Sequence, residues 1–263
     1  MMNHETITYQ KTDRIARVTF SRPEIHNAFN STMIAEMTDV FAEIEQDDTI
    51  RAVLLTGEGK SFCAGADLTW MRGVVKQTFG ENLDESNALA ECFYRIYSSR
   101  RPVIGRINGA AIGGGTGFVA VCDIAIAARS ARFSFSEVKI GVVPACIGPY
   151  VIKKMGEGKA RELFITGERM NADRACEVGL VNRVVDDGQL DDDVDTLLKS
   201  VLSSGPEAVA MAKKLVSEVP DMSAAEFKPY TAEMIAKLRV SDEGQEGMDA
   251  FLNKRKPNWV EED

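Results

Sequence analysis

The sequence contains very little histidine, with only His4 and His26 among 263 residues. A metal site built from several histidines is therefore excluded, and a Ser-His-Asp triad would have to use His26. An enzyme of this composition has to carry out its acid–base chemistry with carboxylates or with backbone groups.

Cysteine is sparse and scattered. The chain has five cysteines, and the closest two, Cys122 and Cys146, are 24 residues apart, so there is no CxxC pair for zinc or for thiol redox chemistry. An odd, dispersed set is typical of a reducing compartment, where each cysteine acts as a small apolar residue. Cys63 and Cys146 differ from the rest because they fall in candidate functional loops. We expect a cytoplasmic protein with no bound metal.

Long apolar runs and an excess of positive charge are also absent. No stretch approaches the roughly 20 apolar residues of a membrane span, and the first ten residues contain no apolar signal core. The chain carries 31 Lys and Arg against 40 Asp and Glu, a net charge of −9. A dispersed negative excess repels phosphate backbones. We therefore expect neither a membrane partner nor a nucleic-acid partner.

What the sequence does contain is an alternation of strand and helix patterns. Apolar residues predict strands near 15–20, 52–56, 103–107, 124–127 and 132–135. Ile34, Met37, Phe41 and Ile44 mark one helical face, which Asn30 or Ser31 can cap. This alternation predicts an α/β fold for residues 1–190. Residues 191–263 are nearly all helical in pattern, and we expect a partner subunit to cover some of their apolar faces.

Two glycine-rich segments each follow a predicted buried strand, at residues 61–68 and 108–117. Five glycines lie between Gly109 and Gly117, and such small residues let a ligand approach the backbone closely. A helix that began near Gly114 would direct free N–H groups at that ligand. Two phosphate motifs fail, because a dinucleotide fingerprint would need glycine at Phe118 and a P-loop would need glycine at Leu54.

A third segment, residues 134–144, places Glu137 among Phe135, Val138 and Ile140. Apolar surroundings raise the pKa of a carboxyl group and let it exchange protons near neutrality. Local sequence alone leaves a second interpretation open, in which Glu137 is a solvated residue at the end of a strand.

Taken in order, these segments resemble the crotonase (enoyl-CoA hydratase/isomerase) superfamily over nearly the whole chain. The matching segments are Ser21-Arg22-Pro23 with Asn27-Ala28, Phe62 to Leu68, Asn108 to Gly115, Cys122 to Ala127, Ser136 to Gly141, and Glu246 to Pro257. Each segment is weakly diagnostic alone, and together they are specific.

The resemblance implies a crotonase-type spiral of ββα units, followed by a C-terminal helical region that forms a homotrimer, or a hexamer as a dimer of trimers. It implies an acyl-CoA thioester substrate and no cofactor besides the coenzyme A of that substrate. It places an oxyanion hole at the backbone N–H groups of Ala66 and Gly114 and substrate-binding positions nearby, at Ala64, Ala66, Asp67, Leu68, Thr69 and Gly114. A basic rim for the phosphates could come from Arg22, Lys60 and Arg72, and the run 254–256 is a further candidate.

One departure from the family pattern bears on the reaction. Hydratases of this family carry two glutamates; the second matches Glu137, but the first falls on Gly117. The altered stretch 144–150, together with residues 64–71, resembles a subgroup of bacterial methylglutaconyl-CoA hydratases. The sequence therefore predicts a 2-enoyl-CoA hydratase with Glu137 as its catalytic carboxylate. Two alternatives stay open: a Δ3,Δ2-enoyl-CoA isomerase, and a weakly catalytic acyl-CoA- or RNA-binding member.

Overall fold

The computed structural model describes residues 4–260. Its strands are β1 Ile7–Thr12, β2 Ile15–Phe20, β3 Ala52–Gly57, β4 Ser61–Cys63, β5 Val103–Ile107, β6 Ala110–Ile112, β7 Ile124–Ala128, β8 Arg132–Ser134, β9 Arg169–Asn171 and β10 Arg183–Val185. Its α-helices are α1 Ser31–Gln46, α2 Leu68–Val74, α3 Phe79–Ser98, α4 Gly114–Val121, α5 Gly148–Met155, α6 Glu157–Thr166, α7 Ala172–Glu177, α8 Leu190–Leu202, α9 Pro206–Glu218, α10 Ala224–Val240 and α11 Asp242–Leu252. None of these helices is long and apolar enough to cross a membrane.

The strands form two sheets. The larger has the order β1-β2-β3-β5-β7-β10, and the smaller has the order β4-β6-β8-β9. Three times in succession the chain places one strand in the large sheet and the next in the small sheet, and then continues into a helix or a 3-10 turn. This repetition confirms the predicted α/β fold and its ββα units.

The core fills the space between the sheets and the helices. Asn30 caps α1, whose apolar face packs into the core through Met33, Met37 and Phe41. Beside it Phe118 stacks against three other rings at centroid distances of 4.8 to 5.9 Å, those of Phe20, Phe29 and Phe93. Tilted and edge-on aromatic packing of this kind adds to the stabilisation from buried area. The cluster fixes α3 and α4 against the strands that lead into the candidate site.

The helices after residue 190 differ in what they cover. α8 packs Val194, Leu197 and Leu198 on one face of the large sheet. In contrast, α10 and α11 leave large apolar side chains in solvent, including Val240 and Phe251. The division into a core of residues 1–190 and a helical region of 191–263 stays a prediction, as does a trimer built through that region.

Candidate functional site

The three segments singled out in the sequence meet at one edge of the small sheet. β4, β6 and β8 are parallel neighbours, with Cys63 opposite Ala111 after a register shift in β4, and Ile112 opposite Ser134. Parallel strands end at the same edge of a sheet. Ala66, Gly114 and Glu137 therefore follow three adjacent strand ends.

The backbone at Ala66 leaves one N–H group free. The Phe29 N–H donates to the Gly65 carbonyl at 2.8 Å, and the Asp67 N–H donates to the Phe29 carbonyl at 2.8 Å. In a parallel bridge of this kind the intervening residue directs its own N–H away from the partner. Among the described residues no acceptor lies within hydrogen-bond reach of the Ala66 N–H.

Gly114 supplies the second free donor. It is the first residue of α4, and its N–H has no acceptor within residues 4–260, as is usual in the first turn of a helix. The preceding Gly113 has φ +53°, a conformation that favours glycine, and donates its own N–H to the Ser134 carbonyl at 2.8 Å. A Cβ on Gly115 would lie 2.1 Å from the Cys63 carbonyl oxygen, so the two glycine-rich segments are in direct contact.

The Glu137 carboxylate lies next to the place where the two glycine-rich segments meet. A Cβ on Gly113 would lie 3.3 Å from Glu137 Oε1, which places the carboxylate one residue from the free N–H of Gly114. Burial raises the pKa of Glu137 above its ordinary value, the direction that its apolar neighbours predict. Its Oε2 atom is buried and has no hydrogen-bond partner in the described part of the chain. A carboxyl group with a raised pKa keeps its proton to a higher pH than an ordinary glutamic acid does.

Asp67 is held by the protein. It accepts a 2.7 Å hydrogen bond from the Thr69 N–H as the cap of α2, and it pairs with Arg22 Nη2 at 2.9 Å. Burial opposes ionisation, but the Thr69 hydrogen bond and the Arg22 guanidinium together keep the pKa of Asp67 below its ordinary value. Arg22 also donates to the Ala28 carbonyl at 2.7 Å, next to Phe29, which pairs with Ala66.

The other predicted binding positions surround this loop at the surface. Ala64 is partly exposed, Thr69 is exposed, and Leu68 is 72% exposed. The candidate phosphate-binding residues Lys60 and Arg72 are also exposed.

The candidate basic run 254–256 is partly engaged within the chain. Arg255 pairs with Glu246 at 2.6 Å and with Asp249 at 2.6 Å. Its guanidinium is therefore held at the end of α11.

At the position of the missing family glutamate the structure is closely packed. A Cβ on Gly117 would lie 2.2 Å from Ile147 Cγ2 and 3.1 Å from Phe93 Cζ. An acidic side chain therefore does not fit at residue 117, and apolar groups occupy the space around it.

The thiols and the histidine do not form a second reactive centre. Burial raises the pKa of Cys63 to about 12 and also raises that of Cys146. His26 Nδ1 lies 3.0 Å from Ser61 Oγ without a carboxylate to complete a triad, and no cluster of possible metal ligands exists among the described residues.

Sequence reasoning missed several side chains near the site. A Cβ built on Gly114 would lie only 2.7 Å from the Phe29 ring, so this ring covers Gly114. The Phe29 ring also packs against the Trp70 ring, with 5.8 Å between the ring centroids. Trp70 Nε1, Gln77 Oε1 and Glu85 Oε2 are buried with no hydrogen-bond partner among the described residues. Only the four-residue spacing of Glu85, Leu89 and Phe93 on one face of α3 hints at this arrangement in the sequence.

Comparison with known proteins assigns this architecture to a family. Residues 10–262 match the family model described as enoyl-CoA hydratase/isomerase. A crotonyl-CoA hydratase of Syntrophomonas wolfei is 32% identical over 262 residues, covering 98% of this chain and 99% of the relative. A short-chain-enoyl-CoA hydratase of Clostridium acetobutylicum is 33% identical over 261 residues, with 97% of each chain covered.

A solved structure shares the fold along the whole length. The crystal structure of an enoyl-CoA hydratase from Shewanella pealeana superposes with a TM-score of 0.94 at 38% identity, covering 97% of this chain and 96% of that one.

Proposed function

The chain belongs to the enoyl-CoA hydratase/isomerase family, and we propose that it adds water to the double bond of a 2-enoyl-CoA thioester. The observation that carries this proposal is that two backbone N–H groups without an acceptor in residues 4–260, at Ala66 and Gly114, follow adjacent strand ends, with the partly buried Glu137 carboxylate beside Gly113.

The two N–H groups would bind the thioester oxygen. When water attacks C3, negative charge moves onto this oxygen and an enolate forms. Donors that are already in place stabilise that charge without reorganising, and each lowers the barrier by about 3 kcal/mol. The N-terminal end of α4 adds a positive partial charge at the same point.

Glu137 would transfer the proton in this reaction. The oxygen of water forms a bond to C3, and Glu137, protonated, gives its proton to C2 of the enolate. The proton that the attacking water loses then restores the Glu137 acid, so that one water is added in all. A carboxyl group whose pKa is raised by burial carries a transferable proton closer to neutral pH than an ordinary glutamic acid does.

The packing around Gly117 supports one alternative. With no second acid on α4, Glu137 alone could remove a proton at C2 and return it at C4, which shifts a double bond from Δ3 to Δ2 without adding water. We keep this isomerase reaction as the second candidate.

The finer substrate proposal is 3-methylglutaconyl-CoA, which would place the enzyme in leucine breakdown. Its support is the resemblance of residues 64–71 and 144–150 to bacterial methylglutaconyl-CoA hydratases. Ile147, which belongs to the second segment, forms the apolar wall at Gly117.

A panel of three thioesters tests these assignments. Purified protein is incubated with crotonyl-CoA, with 3-methylglutaconyl-CoA and with a 3-enoyl-CoA, and the absorbance of the conjugated thioester is followed. Loss of absorbance with either 2-enoyl thioester supports the hydratase, and a higher kcat/KM for 3-methylglutaconyl-CoA supports the finer substrate. A gain with the 3-enoyl thioester and no loss with the others would identify the isomerase, and no change with any of them would contradict both reactions.

A further inference from the structure

The inner face of α3 points at the place where the family's first glutamate is missing. Phe93 on this face packs against Phe118 at 4.8 Å and lies 3.1 Å from a Cβ built on Gly117. Leu89, one turn earlier, also packs against the core. Glu85 lies one further turn towards the helix N-terminus, on the same face, because residues four apart on a helix are neighbours.

The first turns of α3 touch the loop that follows Glu137. The carbonyl of Ser86, the residue next to Glu85, lies 3.7 Å from Cys146 Sγ. Cys146 directly precedes Ile147, whose side chain closes the space at Gly117. Glu85 therefore lies at the boundary between α3 and the wall of the candidate site.

The Glu85 side chain is partly buried, and only one of its carboxylate oxygens has a hydrogen-bond partner among the described residues. Its Oε1 accepts a 2.8 Å hydrogen bond from Gln77 Nε2, whereas its Oε2 is buried with no partner in residues 4–260. Within that range five buried side-chain atoms lack a partner, and four of them belong to Trp70, Gln77, Glu85 and Glu137. Buried polar atoms are normally paired, so the unpaired Glu85 Oε2 indicates a place where a polar ligand can bind.

On the basis of the proposed hydratase function, we propose that Glu85 is the second catalytic carboxylate and replaces the acid that Gly117 cannot provide. Glu85 accepts a proton from water as the water oxygen bonds to C3. Glu137, protonated, gives its proton to C2. The product gains one water, and the proton on Glu85 returns to Glu137 through solvent before the next turnover.

The two environments suit these opposite roles. The Gln77 amide donates a 2.8 Å hydrogen bond to Glu85 Oε1 and so fixes the orientation of that carboxylate. Within residues 4–260 Glu137 Oε2 has no hydrogen-bond donor, and its neighbours in the sequence include Phe135, Val138 and Ile140. Two carboxyl groups in different surroundings are the usual basis of an acid–base pair.

The test compares two reactions in Glu85→Gln. Hydration of crotonyl-CoA or 3-methylglutaconyl-CoA needs both carboxylates, whereas exchange of the C2 protons of butyryl-CoA with D2O needs only Glu137 and the oxyanion hole. We expect hydration to fall by at least about a hundredfold, the usual contribution of a positioned acid or base. Exchange should stay within about threefold of wild type, because Glu137 is untouched.

Two further variants complete the design. Asp84→Asn on the exposed side of α3 is the matched control and should leave both reactions unchanged. Glu85→Asp keeps the carboxylate one methylene further back and should restore part of the hydration rate even if Glu85→Gln is unstable.

Hydration within threefold of wild type in Glu85→Gln, or an equal loss of hydration and exchange in a folded protein, would overturn the proposal for Glu85. Failure of the wild-type enzyme to hydrate either thioester would instead overturn the proposed function.

Discussion

At the scale of single residues, the candidate site combines two free backbone N–H donors with a carboxylate whose burial costs free energy. The Glu137 Oε2 atom has no partner within the described chain, and burial opposes ionisation of the group. Sites of this kind trade stability for reactivity. Sequence motifs predict Glu137, Ala66 and Gly114 as site residues, whereas the proposal for Glu85 depends on its partial burial and its bond to Gln77, which only tertiary structure shows.

The cost of burying the Glu137 carboxylate predicts that Glu137→Gln raises the free energy of unfolding in a pH-dependent way. Burial raises the pKa of Glu137 in the folded state above its value in the unfolded chain. The contribution of Glu137 to the free energy of unfolding is therefore complete below the unfolded pKa and is lost as pH rises through the folded pKa. The variant should therefore be more stable than wild type at pH 8 and show no advantage near pH 4. Urea unfolding at both pH values measures this, and an unchanged difference between them would contradict it.

The close packing around Gly117 leads to a second prediction at the residue scale. Gly117→Ala forces a Cβ to within 2.2 Å of Ile147 Cγ2, and overpacking of this kind costs roughly 1–3 kcal/mol of unfolding free energy. Ile147→Ala in the same chain should recover part of that loss, because the two side chains are in contact. Urea unfolding measures this loss. A loss below about 0.5 kcal/mol in Gly117→Ala would contradict the close packing at this position.

At the scale of elements, periodicity predicted β2, β3, β5, β7 and β8, but neither β1 nor the 20-residue α3. The pattern at Ile34, Met37, Phe41 and Ile44 corresponds to α1, and the mostly helical pattern predicted for residues 191–263 corresponds to α8 to α11. The glycine-rich segments were interpreted as loops, and each contains a three-residue strand, β4 or β6. Three residues are too few to show an alternating pattern, so these strands depend on pairing with each other.

The loop between β4 and α2 leads to a prediction for Asp67→Ala. This change removes the cap of α2 and leaves the Arg22 guanidinium, 18% exposed, without its carboxylate. We expect a loss of roughly 1–3 kcal/mol in unfolding free energy. Because the same loop carries Ala66, kcat should fall as well.

A double-mutant cycle with Arg22→Met is the control. The double variant should lose less than the sum of the single losses, since the two side chains form one ion pair. Strict additivity in urea unfolding would contradict a coupled pair.

At the scale of the whole molecule, the helical C-terminal region exposes more apolar surface than a solitary chain needs. Val240 is 77% exposed and Phe251 is 81% exposed. Contiguous exposed apolar surface often marks an interface. We predict a mass of three or six times 28.8 kDa by light scattering.

Phe251→Asp should shift that mass towards the single chain, because a buried charge at an interface is costly. Lys228→Asp on α10, an exposed side chain, is the control and should leave the mass unchanged. A wild-type mass of 28.8 kDa would contradict the predicted assembly.

The role of Glu137 is tested most directly by the steady-state hydration rate of Glu137→Gln. The control is Glu24→Gln, an exposed glutamate in the 3-10 turn 23–25. We predict that kcat/KM for the preferred 2-enoyl-CoA falls at least about a hundredfold in Glu137→Gln while the fold is retained. The control should match wild type. Near-normal turnover in Glu137→Gln would contradict the assignment of Glu137 as the carboxylate that exchanges protons with the substrate.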